Sequence, residues 1–413
     1  MEMQVLSLDQ MLPPEHVARV VWAYVEQVDV GPLLAEIRSV EHHAGNPAID
    51  PRILLGLWLL ATIQGVGSAR EVERRCEEHT AYRWLAGGLT INYHTLSDFR
   101  SAHVAFLDRL LTSGVATLLH QDLIMLDRVA QDGMRVRASA GASSFRRPST
   151  LQKCLAEAEA HVQALKARAD ADPGAGSRQQ ARLAEERCRR IAAALAQTQR
   201  LAERRQQVEA EKGVKAKEPR ASTTDPEARV MKMPDGGFRP AYNVQLATTT
   251  AGGIIVGADV TNRGSDGGEL TPMVEQLGER YGVKPRQMLA DGGFATTDDI
   301  QAMHADHQVD VYAPVKDAAK KRAAGIDPFV PRRADAEGVA RWRQRMGTEA
   351  AQAIYAERAQ TAEWANAGMR NRGLYQVRVR GLAKVRAVVL WYVLAHNLLR
   401  AVALRQHAAA TGQ

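Results

Sequence analysis

The apolar residues of this chain change their period once, and that change divides what it can fold into. Up to about residue 120 they recur at helical spacing, whereas from Leu126 to Arg137 they alternate as in a strand with one buried face. The chain therefore reads as an all-α N-terminal domain over residues 1–120, followed by an α/β domain over 121–413. At 413 residues it is too long for one ordinary core, which agrees with more than one domain.

Within the first part, Leu12-Pro13-Pro14-Glu15-His16 opens a helix, and Val17, Val21, Val25 and Val28 supply its apolar stripe. Asp50 reads as the N-cap of a second, buried helix that starts at Pro51. Ser68-Ala69-Arg70-Glu71 has capping-box spacing for a third. After the break at Gly87-Gly88, Tyr93–Arg100 begins another helix, with Thr95 as the expected cap. Such short helices are compatible with a helix-turn-helix whose second helix displays Ser97, Arg100 and His103 to DNA, and equally with a plain bundle or dimerisation domain.

In the second part, Leu151, Leu155, Ala158, Val162 and Leu165 form a heptad-like seam, taken up again by Cys188, Ile191 and Leu195. This predicts an inserted helical hairpin over residues 149–216. Strands are expected at Ala241–Thr248, Gly253–Thr261, Gln287–Ala290, Val309–Val315 and Gln376–Arg380. Helices are expected over Leu270–Tyr281, Thr297–His307, Thr348–Arg370 and Val385–Leu404, giving a mixed sheet flanked by helices.

Charge is distributed unevenly. The net charge is +7, but residues 1–120 hold nine Arg, no Lys and fourteen acids, so the remainder carries about +12. From Trp364 to Gln413 there are eight basic residues and no acidic one, which suits a phosphate backbone. Three cysteines without motif spacing argue against a disulfide framework or a zinc site. The uninterrupted apolar runs Ile53–Ile63 and Ala387–Ala395 fall short of a bilayer span, and no signal peptide is evident, so a cytoplasmic location without membrane insertion is expected.

Three carboxylates stand where such a sheet can bring them together. Asp132 lies inside the first strand, where a charge is costly to bury without a cation. Asp291 ends a strand and precedes Gly292-Gly293, at the strand end where open α/β sheets bind ligands. Glu363 lies in the long helix on a face shared with Tyr355, Asn366 and Arg370. By position alone each acid also suits a turn, a cap or a helix surface, and both readings stay open. Asp266 and Asp298 read as helix caps. Trp364 reads as a core residue or as a platform for an extruded base.

Several motifs in order carry a resemblance. Met233-Pro234-Asp235-Gly236-Gly237-Phe238-Arg239-Pro240-Ala241-Tyr242-Asn243-Val244-Gln245 resembles the second core strand of insertion-sequence DDE transposases with an RNase H-like catalytic domain. Gln131-Asp132-Gly133 and Leu289-Ala290-Asp291-Gly292-Gly293-Phe294 resemble their first and second acid motifs. Tyr355, Arg358, Glu363 and Arg370 resemble their Tyr–Arg–Glu–Lys signature. Gly381-Leu382-Ala383-Lys384, His396-Asn397-Leu398-Leu399-Arg400, His42-His43-Ala44-Gly45-Asn46-Pro47 and Tyr93–Arg100 are similar to flanking family motifs.

The resemblance implies a catalytic triad of Asp132, Asp291 and Glu363 holding two Mg²⁺ ions, for which Mn²⁺ could substitute. It further implies double-stranded DNA as partner, at the element's ends and at the target, and a homodimer in the synaptic complex. Ser97, Arg100, His103, Tyr355, Arg358, Arg370, Arg378 and Arg380 are the expected DNA contacts. A nuclease-only or catalytically inactive DNA-binding relative is the alternative. One departure stands out. Four residues rather than three separate Arg358 from Glu363, which in a regular α-helix turns Arg358 about 100° away from the family position.

Overall fold

A computed structural model describes residues 7–37, 48–171, 175–213 and 218–411. The motif at His42–Pro47 and the link at Asp172–Gly174 lie outside the described residues. Seven helices come first: α1 (Val17–Glu26), α2 (Gly31–Leu34), α3 (Pro51–Ile63), α4 (Ala69–Glu78), α5 (Thr80–Ala86), α6 (Tyr93–Ser101) and α7 (Val104–His120). The valine stripe packs α1 inward, with Val21 and Val25 fully buried. Asp50 caps α3 as expected, its carboxylate accepting the Arg52 amide at 2.8 Å. Every residue from Leu54 to Thr62 is buried, so α3 is the axis of this part rather than a surface helix.

Two caps differ from expectation. Glu71 pairs with Arg74 and Arg75 instead of closing a box on Ser68, because two guanidiniums lie within one helical turn of it. α6 begins three residues earlier than a Thr95 cap requires, since the Asn92 side chain accepts the His94 amide at 2.7 Å.

The remaining elements are β1 (Arg128–Arg137), β2 (Phe145–Arg146), α8 (Pro148–Ala171), α9 (Ala175–Lys212), β3 (Ala221–Ser222), β4 (Arg229–Lys232), β5 (Phe238–Thr249), β6 (Ile255–Thr261) and α10 (Leu270–Tyr281). They continue with β7 (Gln287–Leu289), α11 (Thr297–Ala305), β8 (Asp310–Tyr312), α12 (Ala318–Ala323), α13 (Glu337–Met346), α14 (Glu349–Arg358), α15 (Trp364–Asn371) and α16 (Leu382–Thr411). The sheet is mixed, in the order β4-β5-β1-β7-β8, with β6 also on β5. β1 runs antiparallel to β5 and parallel to β7, and β7 parallel to β8. A helical N-terminal region followed by a mixed sheet is therefore what the sequence predicted.

The expected strand at Gln376–Arg380 is reduced to one bridge between Arg137 and Gln376. α13 was not anticipated. Its Trp342 is buried and donates to the Ala313 carbonyl at the end of β8. Between β2 and β3, α8 and α9 fold back on each other along the predicted seam, with Leu151, Ala158, Ile191 and Ala194 buried.

α16 ties the two parts into one core. By length and composition it could cross a bilayer, which the short run Ala387–Ala395 does not convey, yet most of its apolar stretch is buried against protein. It packs on α3, α6, α7 and β6. Its His396-Asn397-Leu398-Leu399-Arg400 motif has a local task. Asn397 donates to the Ile255 carbonyl at 2.7 Å and accepts the Ile255 amide at 2.9 Å, acting as a one-residue strand on the β6 edge. His396 bonds the Gly253 carbonyl and Arg400 the Gly252 carbonyl, pinning the β5–β6 turn. Burial pushes the His396 pKa down to about 4, so the ring is neutral in the fold.

Ser97, Arg100 and His103 do not share an exposed face. Ser97 is exposed, but Arg100 turns inward, stacks over Trp58 at 4.7 Å and donates to the Gly67 carbonyl. Burial lowers its pKa, with Tyr392 opposing and Arg378 adding to the effect. His103 lies beyond α6 with φ 56° and pairs with Glu36. An arginine at an apparently polar helix position was read as exposed because the fold that covers it is not local. Arg100→Ala is expected to lower stability by about 1–3 kcal/mol, through lost packing and an orphaned carbonyl. A urea midpoint equal to that of the unaltered protein would return Arg100 to the surface.

Candidate active site

β1 and β7 bring the first two acids together. Their parallel register pairs Ala130 with Leu289, so two residues further on Asp132, midway along β1, and Asp291, just past the end of β7, stand side by side. Gly133 is needed here. A Cβ at that position would lie 2.3 Å from an Asp266 carboxylate oxygen, so only glycine admits the 262–269 loop this close to β1. Asp291 turns back on its own loop, accepting the Gly293 amide at 2.7 Å.

The third acid arrives on a distorted helix. α14 and α15 are joined by a π-helical turn over Ala359–Glu363, so the helix does not keep its α period between Arg358 and Glu363. A π turn closes its hydrogen bond over five residues instead of four. The extra residue is thereby absorbed, and Arg358 and Glu363 face the same way. The 100° rotation expected of a regular helix does not occur. Arg358 Nη1 donates to Glu363 Oε1 at 3.1 Å.

The same guanidinium reaches Asp132, with Nη2 3.3 Å from Oδ1. The other Asp132 oxygen accepts the Asn366 amide at 2.8 Å, and Oδ1 also accepts the Gly133 amide. The Asp132 side chain is only 15% exposed and that of Arg358 11%, whereas Glu363 is 59% exposed. Burial raises the Asp132 pKa and the Asp291 charge adds to that, against the pull of Arg358, Gly133 and Asn366. For Arg358 burial works against the charge, but Asp132, Tyr355, Asp291 and Glu363 together outweigh it and hold its pKa above the usual value. Tyr355 lies against Arg358, and its phenol pKa is raised by burial.

The fold thus brings Asp132, Asp291, Glu363, Tyr355 and Arg358 to one place. Among the described residues no three His, Cys, Asp or Glu side chains converge closely enough to hold a metal as they stand. A guanidinium occupies the ground between Asp132 and Glu363. Arg370, Arg378 and Arg380 lie exposed on the same C-terminal stretch, outside any ion pair among the described residues. Trp364 is exposed rather than core, its ring flanked by Arg400 and His396.

Two residues have roles that the sequence pattern does not convey. Asn366 holds Asp132, and its position three residues after Glu363 was the available signal. Asp266 is no helix cap: Arg135, Asn243 and Gln245 all donate to it, while Asp299 caps α10 by accepting the Leu270 and Thr271 amides. Nor does Asp298 cap α11, where the Thr296 hydroxyl accepts the Asp299 amide.

A mixed sheet presenting paired acids, with a third acid on a helix across them, is an arrangement suited to chemistry on phosphate esters. Comparison with known families agrees. Residues 6–102 match a transposase domain (DUF772) and residues 211–398 the transposase DDE domain, so that together the matches cover more than half of the chain. The chain belongs to the DDE transposases of insertion sequences. No curated protein and no solved structure matches it significantly. The DDE match contains Asp291 and Glu363, whereas Asp132 lies upstream of it and is joined to them through β1.

Ionised Asp132 is the strained state of this site. Its folded pKa is raised, so the proton binds more tightly in the folded than in the unfolded chain. Its contribution to stability is full below the unfolded pKa, near pH 4, and is lost as pH rises through the folded value. Asp132→Asn should therefore raise the melting temperature at neutral pH, with the gain shrinking as pH falls towards 4. A variant that melts lower than the parent at neutral pH would show that the Arg358 pair outweighs the burial cost.

Proposed function

We propose that the chain is an active transposase whose RNase H-like catalytic domain, residues 121–413 with the 149–216 hairpin inserted, cuts DNA at the ends of its own element. It then joins the freed 3′ ends to target DNA. The observation that carries this reading is the Arg358 guanidinium held between Asp132 and Glu363 with Asp291 alongside: three acids gathered round one positive charge.

The donor set suits hard divalent ions. Besides three carboxylates it includes Asn366 Oδ1, a buried oxygen with no hydrogen-bond partner among the described residues. Asp132, Asp291 and Glu363 would hold two Mg²⁺, or Mn²⁺, which when bound supply activation of the attacking oxygen and stabilisation of the leaving one. The chain's own residues do the rest. Asn366 orients Asp132, and the Gly293 amide fixes Asp291. Tyr355 and Arg358 face the phosphate being cut, and Arg370, Arg378 and Arg380 track the flanking backbone. Two ends must be processed together, which calls for a homodimer on DNA. The helical domain over residues 1–120 takes part in end recognition or dimerisation. With Arg100 and His103 drawn inward, Ser97 alone of the three keeps its exposed position.

The guanidinium between the acids would also fit a relative that binds DNA without cutting it, and one assay separates the readings. With DNA carrying the element's ends and Mg²⁺, the protein should yield cleaved and strand-transfer products. Asp132→Asn, Asp291→Asn and Glu363→Gln should each abolish both while leaving end binding intact. Cleavage without joined products would indicate a nuclease. Normal cleavage by any one variant would remove that acid from the site.

The basic stretch makes a separate prediction. Neutralising Arg370, Arg378 and Arg380 should weaken binding to all DNA sequences alike, and each lost phosphate contact should flatten the log–log salt dependence by about 0.9. An unchanged slope would leave these arginines as a solvated surface.

A further inference from the structure

Arg358 is in the wrong place for a residue that only meets DNA. Its guanidinium is largely shielded, with Nη1 3.1 Å from Glu363 and Nη2 3.3 Å from Asp132, and its Nε has no hydrogen-bond partner among the described residues. It therefore spends its charge on the oxygens that a metal would need, while part of its own donor capacity goes unused. The π turn is what allows this. In a regular helix the five-residue step from Arg358 to Glu363 would point the two side chains apart. A guanidinium suits the task because its planar fork reaches two carboxylates at once, which a lysine ammonium on a single axis does less well.

A second cation must compete with Arg358 for these oxygens. A divalent ion bound to Asp132 and Glu363 would lie against Arg358 in a partly buried setting, where like charges repel strongly. Resting on the reading of Asp132, Asp291 and Glu363 as the metal-binding acids, we propose that Arg358 is a positioning residue that stands in for the cation. It holds Asp132 and Glu363 together in the metal-free chain and leaves their oxygens when a divalent ion binds. The displaced guanidinium, still anchored beside the acids, is then free to take a phosphate oxygen. The chain is kept from carrying three uncompensated carboxylates at any stage, and metal entry and phosphate capture become linked events.

The test uses the full-length protein without DNA and Ca²⁺ as the probe, read by titration calorimetry. Arg358→Gln, which removes the competing charge, should bind Ca²⁺ about tenfold more tightly than the unaltered protein. Adding Asp132→Asn should abolish that binding in either background. Binding by Arg358→Gln that is no tighter, while Asp132→Asn still abolishes it, overturns the stand-in role and leaves the acid assignment standing. Binding that survives Asp132→Asn overturns the acid assignment, and the stand-in role with it. Should Arg358→Gln fail to fold, the unaltered protein answers the question. Ca²⁺ should speed phenylglyoxal modification of Arg358, followed by peptide mass spectrometry. An unchanged or slower rate overturns the proposal.

Discussion

A carboxylate in the middle of a sheet is costly unless positive charge and hydrogen bonds reach it, and Asp132 imposes that condition on everything near it. The neighbouring elements are arranged to meet it. Arg358 and Asn366 come from one side of a single helix, and the Gly133 amide comes from the strand itself. For the helix to supply both side chains and also Glu363, its period has to stretch, and the π turn does so. Even then burial dominates, and the acid stays harder to ionise than an ordinary aspartate. Such residual strain is common where a group is kept for chemistry rather than for stability.

On the opposite face of β1 the solution is different. Gln131, Gly133 and Arg135 alternate with Asp132 and point away from it, towards Asn243 and Gln245 on β5. There Asp266 receives three donors and is well satisfied. One strand thus carries Asp132 on one face and a polar network gathered on Asp266 on the other. Asn243 and Gln245 of the Tyr242-Asn243-Val244-Gln245 motif serve that second face, so their contribution to the acids is indirect, through the position of β1. Support also comes from further off. Asp108 on α7 accepts from Arg280 on α10 and Arg386 on α16, binding the helical region to the helices that flank the sheet.

Much of this was legible in the sequence, and the losses share a cause. The change of period near residue 120, the valine stripe of α1, the Asp50 cap and both ends of α10 rest on interactions within a few residues, which patterns record well. The acids were legible as residues inside a strand (Asp132), at a strand end (Asp291) and on a helix (Glu363). What escaped depended on distant partners or on a departure from regular geometry. Arg100 was read as exposed because its cover, Trp58 and α16, lies elsewhere in the chain. Asp266 and Asp298 resembled caps because caps are the commonest local use of such residues, while the true caps are Asp299 and Thr296. Arg358 looked misplaced because the reading assumed 3.6 residues per turn throughout. The spacing that counted against it becomes intelligible once the helix is allowed one wider turn.

The segment between β2 and β3 has a further consequence. Its two ends are clasped where it leaves and re-enters the sheet-bearing part: Phe145 pairs with Ser222 and Arg146 with Ala221, and the Ser144 and Ser222 hydroxyls meet at 2.7 Å. Some seventy residues of chain therefore begin and end at nearly the same point. Closing a loop already joined at its neck costs the rest of the molecule little, whatever its length. The helices α8 and α9 behave as a pendant whose size and surface can drift without being felt by the pairing of β1 with β5. A chain built this way can acquire or lose an arm over evolutionary time while the strand that carries its first acid keeps its place.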